Sequence, residues 1–181
     1  SEVTNISVIT TEDDQKVGVL GPQLYADLAI LDASLTLSKP RHVTSATGID
    51  AMVHAIEAYT TKLKKNPVSD ALATKALALL SANIQRACDT PDDIEAREAM
   101  LLGAMLAGQA FANAPCAAVH AMAYPLGVHF HVPHGLANSL MLAPVLKFNI
   151  PAAAPLYAEL GDIVGADGTG DFQMRAESFV A

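Results

Sequence analysis

The chain has 181 residues, of which 51% are hydrophobic and 17% are charged, and this balance excludes an intrinsically disordered protein. Its formal net charge of −8 at pH 7 argues against a nucleic-acid partner. No apolar run reaches the roughly 18 residues of a membrane-spanning helix, no signal peptide is visible, and Cys88 and Cys116 do not suggest a disulfide framework. We therefore expect a cytoplasmic protein with neither a nucleic-acid nor a membrane partner.

The first 32 residues have strand-like sequence. Residues 4–10 are β-branched and alternating, and after a polar turn residues 16–20 form a second such run, so the pair predicts a hairpin. Residues 28–32 match a short buried strand. Three strands are few for a sheet, and we expect them to belong to a larger one. Because the chain begins without Met and ends in a helix-like segment at 175–181, we expect the natural protein to extend in both directions.

From residue 44 onward the pattern is helical. Thr44 or Ser45 is predicted to cap a first helix, because a hydroxyl side chain can accept from the free N–H groups of the first turn. Asn66 and Pro67 are predicted to start a second helix, with proline at its first position. Thr90 is predicted to cap a third helix, which has acidic residues in its first turn.

The next segment is interrupted by prolines. Pro115, Pro125 and Pro133 are predicted to break up the chain, and a helix is expected from Pro133 to about residue 149. Pro151 is predicted to begin another helix, and residues 165–170 a loop. We therefore predict a mainly α fold. Residues 1–40 would be remnant strands of a second domain with their connection, and residues 41–181 a helical domain.

Four side chains in the helical part carry chemistry. Asp50 and His54 are four residues apart on one predicted helix, so both can reach the same point. His120 ends an apolar stretch, and His134 follows a proline at a predicted helix start, where a positive charge is unfavourable and a neutral imidazole is expected. Three imidazoles and one carboxylate suit Fe²⁺, Zn²⁺ or a similar divalent ion.

Each of these residues also has an ordinary interpretation. Asp and His at this spacing are commonly a surface pair, a single histidine in an apolar segment is commonly a hydrogen-bonded core residue, and His134 could simply lie beside a helix cap. His129 and His131 flank the predicted site, and solvent or packing roles suit both better than contact with substrate. Spacing alone leaves these alternatives open.

Three motifs carry a family resemblance. The segments GIDAMVHAIEAY at 48–59, VHAMAYPLG at 119–127 and VPHGLAN at 132–138 resemble, in order, the signatures of the iron-containing (group III) alcohol dehydrogenases. The similarity covers an internal or C-terminal-half piece of such an enzyme. It implies the helical half of a dehydroquinate synthase-like fold, the second domain being the nucleotide-binding one.

The resemblance also implies an activity and a ligand set. The family's metal ligands fall on Asp50, His54, His120 and His134, which are the four residues already singled out. The full-length enzyme would use a divalent metal, Fe²⁺ or Zn²⁺, with NAD or NADP. It would oxidise a primary alcohol or hydroxy acid, or reduce the aldehyde, and would be a homo-oligomer. The glycine-rich phosphate-binding turn expected of the family is absent from these residues, so we expect the chain alone to be inactive.

Two further residues are implied by the resemblance. Lys16 aligns with a lysine near the cofactor, although an ordinary hairpin lysine explains it nearly as well. Tyr124 stands where many members have a second histidine close to the nicotinamide, which makes it a candidate cofactor-binding and catalytic residue; a packing role is the alternative. Tyrosine there resembles the branch of 4-hydroxybutyrate dehydrogenases and hydroxyacid–oxoacid transhydrogenases. Other open possibilities are a non-enzymatic metal-binding helical module and a relative of glycerol dehydrogenase or dehydroquinate synthase.

Overall fold

The computed structural model describes residues 2–13 and 16–181, and it leaves the side chains of Thr10 and Lys16 undescribed. Within these residues the predicted hairpin is confirmed: strand β1 (Ile6–Thr10) pairs antiparallel with strand β2 (Lys16–Leu20). Ile6 lies opposite Leu20, which aligns the two alternating runs. The described chain is otherwise mainly helical, as predicted.

The predicted strand at 28–32 is wrong. This segment is irregular, and Leu28 and Ile30 are 75% and 80% exposed. No described strand lies beside it to complete a hydrogen-bonded ladder. Its last residue, Asp32, instead caps a short 3₁₀ helix (Ala33–Thr36) by accepting from the Ser34 backbone N–H at 2.9 Å. An apolar run is thus compatible with an extended but unpaired segment.

The described residues form six α-helices. They are α1 (Arg41–Thr60), α2 (Pro67–Asp89), α3 (Ile94–Asn113), α4 (Ala118–Phe130), α5 (His134–Val164) and α6 (Phe172–Val180). Helix α1 packs on α2, α3 and α5, while α5 also packs on α4 and α6. The core between them is rich in alanine, which lets helix axes approach closely, and its larger members include Leu77, Tyr157 and Leu160.

The helix starts follow the sequence only in part. Asn66 caps α2 as predicted, accepting from the N–H groups of Val68 and Ser69 at 3.1 and 3.0 Å. The predicted cap at Thr44 or Ser45 is wrong, because α1 begins at Arg41 and Thr44 is buried inside it.

Two other details of the helices differ from the prediction. Asp93, not Thr90, caps α3, accepting from the Ala96 N–H at 3.0 Å. Helix α5 does not end near 149 but continues past Pro151 to Val164. Each internal proline removes one backbone hydrogen bond, yet buried residues on both sides of Pro151 pack into one core, and this packing keeps the helix continuous. The prolines at 125, 144 and 155 likewise lie inside helices.

Helix α5 has the length and apolar composition of a membrane-spanning helix, which the sequence analysis did not anticipate. The bent pair of α3 and α4 passes the same test as one broken span. Helix α5 packs on α1, α4 and α6, but only 11% of its apolar 18-residue window is buried among the described residues. The absence of a membrane partner therefore stays a prediction.

The crossing of α5 over α1 depends on Gly135. A Cβ atom at this position would lie 2.6 Å from the carbonyl carbon of Ala46, which is backbone and cannot rotate away. We expect Gly135→Ala to lower the free energy of unfolding by roughly 3 kcal/mol, as overpacking of a tight contact does. Denaturant unfolding measures this. The control Gly168→Ala places its Cβ 3.5 Å from the nearest side-chain atom and should change stability little; equal effects of the two substitutions would contradict the role of the crossing.

Candidate metal centre

Helix α1 supplies two side chains of the candidate site. Asp50 and His54 lie one helical turn apart, and both line the same cleft between the helices and the hairpin. This cleft has a volume of about 1140 Å³ and is also lined by His120 and His134. The structure thus brings all four predicted residues to one cavity.

Helix α4 supplies His120, which is only 5% exposed. Its Nδ1 lies 2.6 Å from Oε2 of Glu57, a buried residue of α1. The other Glu57 oxygen accepts from the Val119 backbone N–H at 2.7 Å. Because an ionised carboxylate only accepts, Nδ1 must carry the hydrogen, and in the metal-binding form of the ring the lone pair is then on Nε2.

The electrostatics of Glu57 agree with this assignment. Burial raises the pKa of Glu57, but hydrogen bonds from the His120 ring and from the N–H groups of Ala117 and Val119 outweigh burial, so the pKa lies below the ordinary glutamate value. Glu57 is therefore a buried anion held by donors. The sequence analysis missed it, although it lies three residues after His54 in the first motif.

The Nε2 atom of His120 is buried and has no hydrogen-bond partner among the described residues. It lies 3.8 Å from Oδ1 of Asp50, and the same oxygen lies 3.6 Å from Nε2 of His134. The three side chains offer ligand atoms that all lie within 4.8 Å of one another. In the metal-binding form of His120 the Nε2 lone pair lies close to the Asp50 carboxylate, and a cation between them is attracted to both groups. The donor set therefore fits a divalent metal ion.

Asn138 holds the Asp50 carboxylate in position by a hydrogen bond. Its Nδ2 donates to Asp50 Oδ1 and lies 3.3 Å from His134 Nε2. The residue is fully buried, and it follows His134 by one turn of α5. It therefore links the α1 carboxylate to the α5 imidazole.

His54 occupies an aromatic stack between two rings. Its ring centroid lies 4.5 Å from those of both Phe111 and His120, with interplanar angles of 22° and 20°. Burial, with the charges of His120 and His134, lowers the pKa of His54 from 6.5 to about 4. His54 is thus neutral at ordinary pH, as a metal-binding imidazole must be.

This low pKa predicts how the metal-free protein responds to acid. Since the folded pKa of about 4 is below the ordinary 6.5, the unfolded chain binds more protons between these values. Ionisation of His54 does not change the free energy of unfolding above pH 6.5. As the pH falls towards 4, the low pKa of His54 lowers the free energy of unfolding by about 3 kcal/mol, at 1.36 kcal/mol per pH unit. Denaturant unfolding in chelator at pH 7 and 4.5 measures the loss. His54→Gln should show a clearly smaller loss, and an equal loss would contradict the assignment.

Tyr124 and Cys116 lie in the same cleft. The Tyr124 ring stacks on His134 with centroids 5.9 Å apart. Burial, followed by the charges of Cys116, Asp50 and Glu57, raises the pKa of Tyr124. Burial likewise raises the pKa of the Cys116 thiol, with Glu57 and Asp50 adding to the shift. Both residues therefore carry their protons at neutral pH when no metal is bound.

The other residues considered from sequence lie elsewhere. Lys16 begins β2, and its side chain lies outside the described part of the chain. His129 is exposed near the end of α4. His131 is exposed and has φ 54°, so it forms the left-handed turn that ends α4 before α5 begins. A turn and a solvent position explain these two histidines.

Residues 44–181 match the sequence profile of the Fe-containing alcohol dehydrogenase family, C-terminal part. The chain belongs to this family. The family membership predicted from the motifs at 48–59, 119–127 and 132–138 is thereby confirmed. The motif residues that meet at the candidate metal centre all lie inside the match.

Relatives of known structure and sequence agree with this family. The chain is 43% identical over 178 residues to Long-chain-alcohol dehydrogenase 1 of Geobacillus thermodenitrificans, covering 98% of this chain and 44% of that protein. It superposes on a crystal structure of 1,3-propanediol oxidoreductase with a TM-score of 0.94 and 38% identity, covering 99% and 47%. It also superposes on a sulfoacetaldehyde reductase from Bifidobacterium kashiwanohense in complex with NAD⁺, with a TM-score of 0.86 and 30% identity, covering 98% and 46%. The chain thus spans about half the length of these Fe-containing alcohol dehydrogenase relatives.

Proposed function

We propose that Asp50, His54, His120 and His134 hold one divalent metal ion in the catalytic half of a nicotinamide-dependent alcohol dehydrogenase. The observation that carries the proposal is the buried, unpartnered Nε2 of His120, which faces Asp50 and His134. Its orientation is set by Glu57, a carboxylate–histidine arrangement found behind many protein metal ions.

The donor set supports Fe²⁺ or Zn²⁺ over the hard ions Mg²⁺ and Ca²⁺, because three of its four donors are imidazoles. When bound, such an ion supplies Lewis acidity at the oxygen of an alcohol substrate, and a nicotinamide cofactor accepts hydride. The protein's own residues do the positioning. Glu57 holds His120 in one tautomer, Asn138 orients Asp50, and Phe111 stacks on the His54 ring.

The names of the relatives support a primary alcohol or its aldehyde as substrate class. They include a long-chain-alcohol dehydrogenase, a 1,3-propanediol oxidoreductase and a sulfoacetaldehyde reductase, which share no head group beyond the alcohol or aldehyde carbon. The NAD⁺ complex of the reductase supports a nicotinamide cofactor for the protein that contains this chain. The hydroxy-acid branch, NADP use, a homo-oligomeric state and a cytoplasmic location stay predictions, as does the domain division at residues 40 and 41.

Tyr124 is proposed to lie beside the nicotinamide and substrate. It lines the cleft next to His134, and its raised pKa makes it a proton donor rather than a base at neutral pH. Lys16 is proposed as a cofactor contact on the family resemblance alone.

Tyr124→His is expected to keep the metal but to change the pH dependence of activity. Histidine titrates near 6.5 whereas tyrosine titrates near 10, so a new ionisation should enter the profile close to neutrality. The measurement is kcat/KM against pH for the protein at the length of its relatives, with Tyr124→Phe as control. Superimposable profiles for all three proteins would show that this position takes no part in proton movement.

The proposed function is tested on the same longer protein. After removal of metal with chelator, it is reconstituted with Fe²⁺ or Zn²⁺ and assayed with NAD⁺ and NADP⁺ on primary alcohols and hydroxy acids. We expect activity only with metal, and none for Asp50→Asn. Full activity in the presence of chelator, or an active Asp50→Asn protein, would contradict the metal-dependent assignment.

A further inference from the structure

The candidate metal centre contains a fifth donor that the four-residue set does not use. Cys116 lies in the short connection between α3 and α4. Its sulfur, with one ring nitrogen each of His54 and His120, forms a group whose ligand atoms all lie within 4.8 Å of one another. Asp50, His120 and His134 form a second group within the same limit. The two groups share His120.

A second observation points to a ligand at this place. His120 is 5% exposed and its Nε2 has no hydrogen-bond partner among the described residues, so the residue common to both groups carries an unpartnered buried nitrogen in the cleft that Cys116 also lines. One group contains the oxygen ligand of Asp50 and the other contains the sulfur of Cys116. The two groups therefore differ in chemical softness.

We propose that Cys116, His54 and His120 form a thiolate-containing coordination position in this pocket, which Cd²⁺ and the probe ion Co²⁺ occupy. The proposal rests on the proposed function, because two of the three ligands are shared with the four-residue set. An ion at this position loses or weakens its bond to Asp50 and His134 and gains one to sulfur. Cys116 is thereby a residue that selects between kinds of metal.

The geometry allows such an ion with small movements. Around a tetrahedral ion, bonds of about 2.1 Å to nitrogen and about 2.3 Å to sulfur place neighbouring ligand atoms roughly 3.5 Å apart. The donors start no more than 4.8 Å apart, so side-chain shifts of about one ångström bring them to this spacing. The Cys116 thiol proton leaves to solvent as the metal–sulfur bond forms.

The three ligands and the carboxylate also suit the charge of the ion. A thiolate and the nearby Asp50 carboxylate together balance a divalent charge, whereas Glu57 remains occupied by His120 and the Val119 N–H. Harder ions such as Mn²⁺ gain little from sulfur and stay with the group that contains Asp50. Soft and hard ions are thus bound by different sets of ligand atoms in this pocket.

The experiment uses Co²⁺ as a spectroscopic probe of the metal-free chain. A thiolate bound to Co²⁺ gives a near-ultraviolet sulfur-to-metal charge-transfer band, whereas nitrogen and oxygen ligands give only the weaker visible bands. We expect the charge-transfer band in the parent chain and in His134→Ala, and we expect it to be lost in Cys116→Ser and His54→Ala. Cys88→Ser is the matched control, because Cys88 is buried at the end of α2 and belongs to neither donor group.

Affinity provides a second readout. Cys116→Ser should weaken Cd²⁺ binding at least about 10-fold, the smallest effect expected even for losing an outer partner of a metal site, and should leave Mn²⁺ affinity unchanged. Circular dichroism verifies that the variant is folded. Co²⁺ binding with visible bands but no charge-transfer band in the parent chain overturns this inference and leaves the proposed metal site intact. Failure of the folded chain to bind Co²⁺ at all overturns both.

Discussion

Replacing His54 by alanine is expected to reduce the affinity of the chain for a divalent ion more than about 100-fold. Changes to residues that merely support a metal ligand cost 10- to 100-fold, and removal of a ligand should cost more. His54 also stacks between Phe111 and His120, so its loss frees the ring of a second proposed ligand. Calorimetric titration of the metal-free chain with Zn²⁺ measures the change.

The control for this experiment is His129→Ala. His129 is exposed near the end of α4, the helix that carries His120, but it belongs to neither donor group. Its removal tests whether any histidine of this region attracts the ion. Affinity should be unchanged. A His54→Ala chain that held Zn²⁺ as tightly as the His129→Ala chain would refute the assignment of the metal ligands.

The substitution Glu57→Gln is expected to weaken metal binding about 10- to 100-fold although Glu57 does not face the ion. A glutamine at this position can still accept from the Val119 N–H with its oxygen. Its amide NH₂ then faces Nδ1 of His120, which must become an acceptor. The ring hydrogen moves to Nε2, where it blocks the lone pair directed at Asp50.

This prediction separates a tautomer effect from a loss of folding. Circular dichroism and melting temperature should be almost unchanged in Glu57→Gln while Zn²⁺ affinity falls. Glu98→Gln, an exposed glutamate on α3, is the matched control for the loss of one negative charge. Equal affinities of the two variants would show that Glu57 has only a structural role.

Predictions from the sequence were correct where the residue chemistry and the hydrophobic periodicity indicated the same structure. Asp50 and His54 share a helix face because four residues make about one turn. That His120 and His134 join them at one site was implied by the family resemblance and not by their spacing in the sequence. The mainly helical fold followed from long apolar periodicity and good caps such as Asn66. These features depend on neighbours along the chain, which a sequence displays directly.

What the sequence did not reveal depends on contacts between distant segments. In the sequence, Glu57 resembles a solvent-facing glutamate and Cys116 resembles a small core residue. Only the folded chain places α4 against Glu57 and two histidines close to Cys116. The same reason explains the errors of detail. Among the described residues the segment 28–32 has no neighbouring strand, and α5 continues past Pro151 because buried residues on both sides pack together.

The bond between Glu57 and the Val119 N–H has a consequence for how the chain folds. Helix α4 starts at Ala118 without a side-chain cap of its own, since Ala117 precedes it. One of its free first-turn N–H groups is satisfied by the Glu57 carboxylate of α1, across 62 positions of sequence. The cap of helix α4 is thus supplied by helix α1, which is synthesised earlier. In synthesis from the N-terminus, Glu57 is therefore present before α4 is made. In a circular permutant with α4 N-terminal to α1, we expect the first turn of α4 to be unstable until α1 has been synthesised.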